Sequence, residues 1–460
     1  GVQPGSAMRE AYERLLSEAK ERSEAKGMAG QALRGALPLV GREGEWLALR
    51  GAWRAAMAEG PRLALLETST PSIEFELQTA AAIKSLSPGT FVGLLGSHVT
   101  YFDAKTIEEN PAFDAILRGE FEYIAADLAR ALDAGDDLAG VLGLTYRSES
   151  GEARRNPDRP LFEPLDKMPF PARHIVKGDG YRAGIYSGGR PTAMVSSRGC
   201  PYHCTFCLWP GILYGHKFRA RSAKNVVDEM EEAVRKYGHD EIYFDDDTFT
   251  VDRQRVLDIC RMIVERGLHK EVEWIAQCRV DTVDREVLEA MKAANCGYIL
   301  FGVESGSPEM LKKMRKGITL DKVRAAFKLA RQVGIKTQAF FLFGVPGETP
   351  ETVRETIEFS KEINGSSTQF AVAIPHPGTA LYEECKANGW LISEEWADYT
   401  ACLLYTSDAA DDLLCVDLGG RRLIKKKNNT VKHNIHSKIQ ISQIKNILRI
   451  LHTKTLSRLN

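Results

Sequence analysis

Six short apolar runs recur between residues 193 and 373, and each is followed by a polar loop and a stretch of helical length. They cover residues 193–196, 241–244, 273–276, 298–301, 337–343 and 369–373. Strand, polar loop, helix, strand is the pattern of a parallel sheet with crossover helices. The six repeats predict an α/β fold, a partial (β/α)6 TIM-like barrel whose chemistry lies at the carboxyl ends of its strands.

The loop after the first run reads Arg198-Gly199-Cys200-Pro201-Tyr202-His203-Cys204-Thr205-Phe206-Cys207, with the spacing C-x3-C-x2-C. Thiolates bind the iron of iron–sulfur clusters, and four-iron clusters usually take four cysteines. No fourth cysteine lies nearby. Three ligands leave one iron open, which a catalytic metal needs and a structural one lacks. So compact a loop lets three sulfurs converge on one face of a cube, with Phe206 walling off one side. The alternatives are a zinc knuckle or three buried thiols. Zinc would want a fourth ligand, and its sites favour paired C-x2-C units.

The motif resembles that of the radical S-adenosylmethionine (SAM) superfamily, with its aromatic residue in place at Phe206. Other strand-end elements follow in the family's order: Asp245-Asp246-Asp247-Thr248-Phe249-Thr250, then Gln277, then Phe301-Gly302-Val303-Glu304-Ser305-Gly306-Ser307. Phe343-Gly344-Val345-Pro346-Gly347-Glu348-Thr349 and Pro375-His376-Pro377-Gly378-Thr379 complete the series. The likeness runs from about 190 through 395. It implies a [4Fe–4S] cluster held by Cys200, Cys204 and Cys207. It also implies SAM bound by Phe206, Asp246, Asp247, Thr248, Gln277, Glu304, Lys316 and Val345. Within that set Glu304 would contact the ribose and Lys316 the methionine carboxylate. Phe340 or Phe341 stands where some members carry a further carboxylate for the ribose. Read without the resemblance, Asp245 could be a helix cap, and Arg279 could either pair with Asp281 or reach into the site.

Upstream, apolar runs at 63–66, 91–95 and 113–117, with a helix through 80–83, predict a second parallel sheet with its own strand-end loops. Thr68-Ser69-Thr70-Pro71-Ser72, Gly96-Ser97-His98-Val99 and Arg118-Gly119-Glu120 resemble the three later loops of the Rossmann-like cobalamin-binding domain attached to many radical SAM enzymes. By that resemblance Thr68, Ser69, Gly96, Ser97, His98, Gly119 and Glu120 would contact cobalamin. The run Cys204-Thr205-Phe206-Cys207-Leu208-Trp209-Pro210 is similar to the same subgroup, including members associated with hopanoid biosynthesis. The D-x-H-x-x-G motif that ligates cobalt from below elsewhere is absent, so His98 is not an obvious cobalt ligand. The alternative is a sheet domain that has lost its cofactor.

Composition bounds the remaining possibilities. Lys+Arg (61) and Asp+Glu (62) nearly cancel, which gives no global pull toward nucleic acid or membrane. No run reaches the ~18 apolar residues of a membrane helix. Nine cysteines without framework spacing argue against a disulfide-stapled secreted chain and for a reducing cytoplasm. The start Gly1-Val2-Gln3-Pro4 has neither Met nor a signal pattern, which suggests a fragment or a processed product. Residues 421–460 contain eleven Lys or Arg and no Asp, Glu, Ala, Gly or Pro, a composition unlike the preceding chain. The stretch from Cys402 to Lys427 resembles a translated sequencing-adapter read, so a non-native junction near 401 is expected rather than a basic nucleic-acid tail. Five prolines between 155 and 175 read as a linker. The expected order is a helical, truncated N-terminal region at 1–60, with a helix over 6–35, then the cobalamin-binding-like domain at 61–150. The linker at 151–185, the barrel at 186–400 and the tail at 401–460 follow.

The resemblance implies reductive cleavage of SAM to a 5′-deoxyadenosyl radical, used for cobalamin-assisted methylation of an unactivated carbon. Rearrangement, cyclisation or C–C bond chemistry without methyl transfer is the alternative. The implied partners are a small-molecule or lipid-like substrate and an electron donor such as flavodoxin or ferredoxin. An iron–sulfur electron carrier would need a fourth cysteine. A methylthiotransferase would need a second three-cysteine cluster, and residues 1–199 contain no cysteine.

Overall fold

The computed structural model describes residues 63–175, 189–391, 395, 396 and 399. The expected helix over 6–35 and the tail at 401–460 lie outside the described residues. The chain divides into two compact units between Asp158 and Arg159.

Unit 1 is a five-stranded sheet in the order β1-β2-β3-β4-β5. Its strands are Leu63–Thr68, Phe91–Gly96, Ala115–Leu117, Leu144–Arg147 and Ala153–Arg155. The first three are parallel, and β4 and β5 add on antiparallel. The sequence reading found the parallel strands and missed the antiparallel pair, whose outer strand Ala153–Arg155 carries two arginines and no apolar run. Its helices are α1 (Ile73–Leu86), α2 (Ser97–Tyr101), α3 (Asp103–Glu109) and α4 (Glu122–Ala134). Helix α4 buries Ile124, Leu128 and Ala131 against Leu95, Ala115, Leu117 and Leu144. It stops at Gly135, whose φ of +70° is the left-handed turn glycine adopts freely.

Unit 2 carries a six-stranded, wholly parallel sheet, in the order β13-β12-β11-β10-β9-β6. The strands are β6 (Pro191–Met194), β9 (Glu241–Phe244), β10 (Glu273–Cys278), β11 (Cys296–Glu304), β12 (Lys336–Phe343) and β13 (Ser367–Val372). A small antiparallel pair, β7 (Ser197–Arg198) and β8 (Arg219–Ala220), brackets the cysteine loop. Its helices are α5 (Ala223–Arg235), α6 (Arg253–Glu265), α7 (Arg285–Ala293), α8 (Pro308–Lys313), α9 (Leu320–Val333), α10 (Pro350–Ile363) and α11 (Ala380–Ala387).

Ser222, Asp252, Asp284, Thr319, Thr349 and Thr379 each cap one of these helices, the side chain accepting a first-turn N–H. A cap of this kind stabilises by about 1 kcal/mol. Alternation along the strands sends one set of side chains outward to the helices. Phe244, Trp274, Ile299, Phe301 and Phe341 form that core with Val226, Met230, Ile259 and Phe327. The other set, Ile275, Tyr298 and Leu300 with Tyr243 and Phe340, packs together as a smaller cluster. The stretches of helical length between the predicted strands at 241–244, 273–276 and 298–301 place both Cys260 and Cys296 on helices. Cys260 is on α6, but Cys296 opens β11, since the turn at Asn295 (φ +65°) ends the helical stretch earlier. Among the described residues no helix is long and apolar enough to cross a membrane.

Candidate active site

The cysteine loop leaves β7 at Gly199, whose φ is +81°. A Cβ there would lie 2.3 Å from the Lys217 carbonyl oxygen, so only glycine lets the two backbones pass. The loop is tied down on both sides. Thr205 N–H donates to the Met314 carbonyl (3.0 Å), and its own carbonyl accepts from Leu381 N–H (2.9 Å). The Cys207 N–H turns back to the Cys204 carbonyl (3.2 Å). Phe206 packs against a buried cluster that includes Met310, Met314, Val345 and Leu381. Val345 is thus on the same apolar wall as the aromatic residue before the last cysteine.

Cys200 is buried, and Cys204 and Cys207 are half-buried. Burial, then the neighbouring Cys204, Asp247 and Cys200, pushes the Cys207 thiol up to about 12. Burial also raises Cys204, against the pull of Lys316 and Arg279. Thiols whose neighbouring sulfurs disfavour the charge on Cys204 and Cys207 suit a polynuclear iron centre, which takes the thiolates onto separate irons. Among the described residues, no three His, Cys, Asp or Glu side chains are grouped to hold a single metal ion.

The acidic loop after β9 contacts this one and the residues just before it. Asp246 is 1% exposed, and its carboxylate accepts from Ser196 N–H (2.7 Å), the Ser196 hydroxyl (2.6 Å) and the Ser197 hydroxyl. Asp247 accepts from the Gly199 N–H and keeps a buried Oδ2 without a partner. Burial and the adjacent Asp246 raise its carboxyl to about 6. Thr248 Oγ1 is 3.7 Å from the Cys200 Sγ. Asp245 is exposed, and accepts from Gln277 Nε2 (3.3 Å), which also meets the Tyr243 hydroxyl (2.5 Å). Asp245 therefore does not cap a helix; Asp252 caps α6.

Near Cys204, Lys316 Nζ and Glu304 Oε1 form an ion pair of 2.8 Å, each residue 7% exposed. A Cβ on Gly302 would meet both partners, at 2.5 and 2.8 Å, so the missing side chain makes room for the pair. Glu304 itself has a φ of +69°, next to a register slip in the β11–β12 ladder. Arg279 both pairs and reaches inward. It grips Asp281 through two 3.0 Å bonds and donates to the Lys316 carbonyl (2.9 Å). Its guanidinium also lies 3.5 Å from the centroid of the Tyr202 ring.

In unit 1 the three expected loops stand side by side at the carboxyl ends of β1, β2 and β3. Thr68 Oγ1 donates to the Leu95 carbonyl (2.9 Å). Gly96 (φ +112°) comes so close that a Cβ would be 2.1 Å from the Thr68 carbonyl oxygen. Thr100 Oγ1 donates to Gly96 O (2.7 Å) and accepts from Gly119 N–H (3.1 Å), linking the second loop to the third. Ser69 is exposed and Glu120 half-buried, whereas Ser97 (7% exposed) and His98 (4%) are buried. Burial, then Lys105, lowers His98 to about 4, and its Nδ1 lies 3.4 Å from Thr70 Oγ1. Sequence reasoning missed Ser196, Ser197, Arg255, Tyr202 and Gly302. Only the small residues beside the motif gave any signal.

A family profile described as the radical SAM superfamily matches residues 194–360. The chain is 38% identical over 335 residues to an uncharacterized methyltransferase of Pyrococcus horikoshii, covering 72% of this chain and 71% of that one. It is 29% identical to an anaerobic magnesium-protoporphyrin IX monomethyl ester cyclase of Rubrivivax gelatinosus, over 68% of this chain and 57% of the cyclase. The fold is similar to that of a radical SAM methyltransferase, TsrM, from Kitasatospora setae, solved with cobalamin and a [4Fe–4S] cluster bound. That likeness has a TM-score of 0.64 at 23% identity and covers 74% of this chain and 70% of that one. The extent of the first relationship, joined to a superfamily match that spans the cysteine motif, means that this chain belongs to the radical SAM superfamily and is an enzyme of that type.

Proposed function

We propose that the chain is a cobalamin-dependent radical SAM methyltransferase acting on an unactivated carbon. The observation that carries this reading is the bed of the cysteine loop. Cys200, Cys204 and Cys207 lie on one loop at the carboxyl end of the first strand, with an orphaned Asp247 oxygen and the Lys316–Glu304 pair around them. When bound, the cluster supplies an electron that cleaves SAM, and cobalamin supplies the methyl group. The chain's own part is to bind, orient and exclude water. Cys200, Cys204 and Cys207 hold iron. The free Asp247 oxygen is an acceptor suited to an ammonium, and Lys316 is a cation suited to a carboxylate. Glu304 and Gln277 offer further hydrogen bonds, and the Phe206–Val345 wall is apolar. In unit 1 Gly96 has no side chain where it approaches Thr68, and Ser69, Gly119 and Glu120 are at least partly exposed in the strand-end loops, which suits the close approach of a large planar ring. The names of the methyltransferase relatives support the same reading. The similarity to a cyclase favours ring chemistry without methyl transfer as the second reading. An oxygen-sensitive cluster and free thiols fit a reducing cytoplasm, where a flavodoxin or ferredoxin would supply electrons. The substrate class is a small or lipid-like molecule.

The test is anaerobic reconstitution with iron, sulfide and hydroxocobalamin, followed by incubation with SAM and a reductant. About four irons and one cobalamin per chain are expected, with release of 5′-deoxyadenosine. Replacing the three cysteines together with Ala should remove the iron and the SAM cleavage. A folded triple variant that still cleaves SAM would sink the cluster assignment. A parent chain that retains iron but no cobalamin would sink the methyl-transfer reading alone.

A further inference from the structure

The acidic loop was expected to face SAM, yet one of its members is fully engaged elsewhere. We propose that Asp246 and Arg255 are positioning residues. Together they clamp Ser196 and Ser197, and so fix where the cysteine loop leaves the sheet. This rests on the reading of Cys200, Cys204 and Cys207 as cluster ligands.

The geometry is a relay through one buried hydroxyl. Ser196 Oγ donates to Asp246 Oδ2 (2.6 Å) and accepts from Arg255 Nη2 (2.6 Å). The same Nη2 donates to the Ser196 carbonyl (2.8 Å), while Asp246 Oδ1 takes the Ser196 N–H (2.7 Å). Every polar group of Ser196 is therefore held by one side chain or the other. Ser197 adds its hydroxyl to Asp246. Arg255 Nε reaches the Arg221 carbonyl (2.8 Å), and Arg221 N–H donates to the Ser196 carbonyl (3.0 Å). Helix α6 is thereby fastened to the residues just after β6 and just after β8. Ser196 and Ser197 are 0% and 2% exposed, Asp246 1% and Arg255 7%, so water does not compete for these bonds.

The placement is what gives the clamp a consequence. Ser197 is three residues before Cys200. The next two residues of the acidic loop continue in step, Asp247 on the Gly199 N–H and Thr248 beside the Cys200 sulfur. With both of its oxygens bonded to Ser196 or Ser197 and the residue 1% exposed, Asp246 leaves neither oxygen unpartnered for a ligand. Its carboxylate instead offsets the Arg255 charge through the relay. A charge pair so deeply buried costs desolvation, and its return is a single fixed arrangement.

The experiment compares Asp246→Asn, Arg255→Met and Arg255→Lys with the parent, all anaerobically reconstituted. Iron content, the EPR spectrum of the reduced cluster with and without SAM, and melting by circular dichroism are measured. The expected result for Asp246→Asn and Arg255→Met is a broadened EPR spectrum already without SAM, and at least a tenfold higher SAM concentration for the SAM-induced change. Arg255→Lys, which keeps the charge and one donor, should recover part of both. If a variant does not fold, Ser197→Ala, which removes one hydroxyl and no charge, should still broaden the spectrum. The proposal is overturned if the SAM-free spectra of all variants match the parent's. It is equally overturned if Asp246→Asn weakens SAM binding while the Arg255 variants do not, since that pattern belongs to a direct SAM ligand. Failure of the parent itself to take up a four-iron cluster would instead refute the underlying cysteine assignment.

Discussion

Removing the carboxylate of Glu304 should destabilise unit 2 far more than removing both charges of its ion pair. The pair is 2.8 Å long with both residues 7% exposed. Burial alone would pull the Lys316 ammonium down, and the Glu304 carboxylate, with the nearby Cys204, more than reverses this. At an effective dielectric of about 20 the attraction is about 6 kcal/mol, most of it spent on desolvation. Glu304→Gln leaves Lys316 uncompensated, and breaking a buried pair on one side costs about 3–5 kcal/mol. For a unit of this size that corresponds to a fall in Tm of roughly 6–20 °C. Adding Lys316→Met should recover more than half of the loss, because the double variant buries no orphan charge. The assay is thermal unfolding of the iron-free chain by circular dichroism, completed as a double-mutant cycle. A Glu304→Gln chain that melts within 2 °C of the parent, or a double variant no better than the single one, would refute the reasoning.

Three further outcomes follow from the packing. Gly96→Ala places a Cβ 2.1 Å from a backbone oxygen at φ +112° and should cost about 2–5 kcal/mol. Gly135→Ala, with φ +70° and nothing within 4 Å, should cost about 1 kcal/mol, and urea unfolding separates the two. His98 is lowered by burial to about 4 against an ordinary 6.5. Its contribution is complete above pH 6.5, and is lost as pH falls from there toward 4, up to about 3 kcal/mol. Urea midpoints at pH 7 and 4.5 should differ less in His98→Gln than in the parent. Cys260→Ala and Cys296→Ala should each cost about 1–2 kcal/mol and leave the iron content unchanged, because both thiols pack within the core away from the loop. Iron lost from either would contradict that placement.

Much of the architecture was legible because each apolar run is followed by a polar loop and a stretch of helical length. All six parallel strands of unit 2 were expected within a few residues of their observed positions, and so were β1, β2 and β3 of unit 1. The misses have a common cause. Strands β4, β5, β7 and β8 are short and, unlike the equally short β3 and β9, carry no run of apolar residues, and they owe their pairing to tertiary contacts. Cys296 was misassigned for a related reason. A single left-handed residue, Asn295, turns a helix end into a strand start, and nothing apolar marks the change.

The site was legible as a set of loops and much less so as a division of labour within them. Asp245, Asp246 and Asp247 are chemically alike and adjacent, and the sequence treats them as interchangeable. Alternation on leaving β9 separates them: one is exposed beside Gln277, one is buried under Ser196, and one holds Gly199 with an oxygen to spare. The second was expected among the SAM contacts, and nothing in its neighbourhood along the chain signals that it is buried against Ser196. Its partner Arg255 is nine residues away on a helix, and Ser196 and Ser197 lie fifty residues upstream. Short-range spacing finds groups that must converge on one centre, as the cysteines do. It cannot find a carboxylate that bonds the backbone leading to them, because that contact depends on which strands are neighbours. In this sheet β6 lies beside β9, and that adjacency, rather than any motif, brings the end of the first strand onto Asp246.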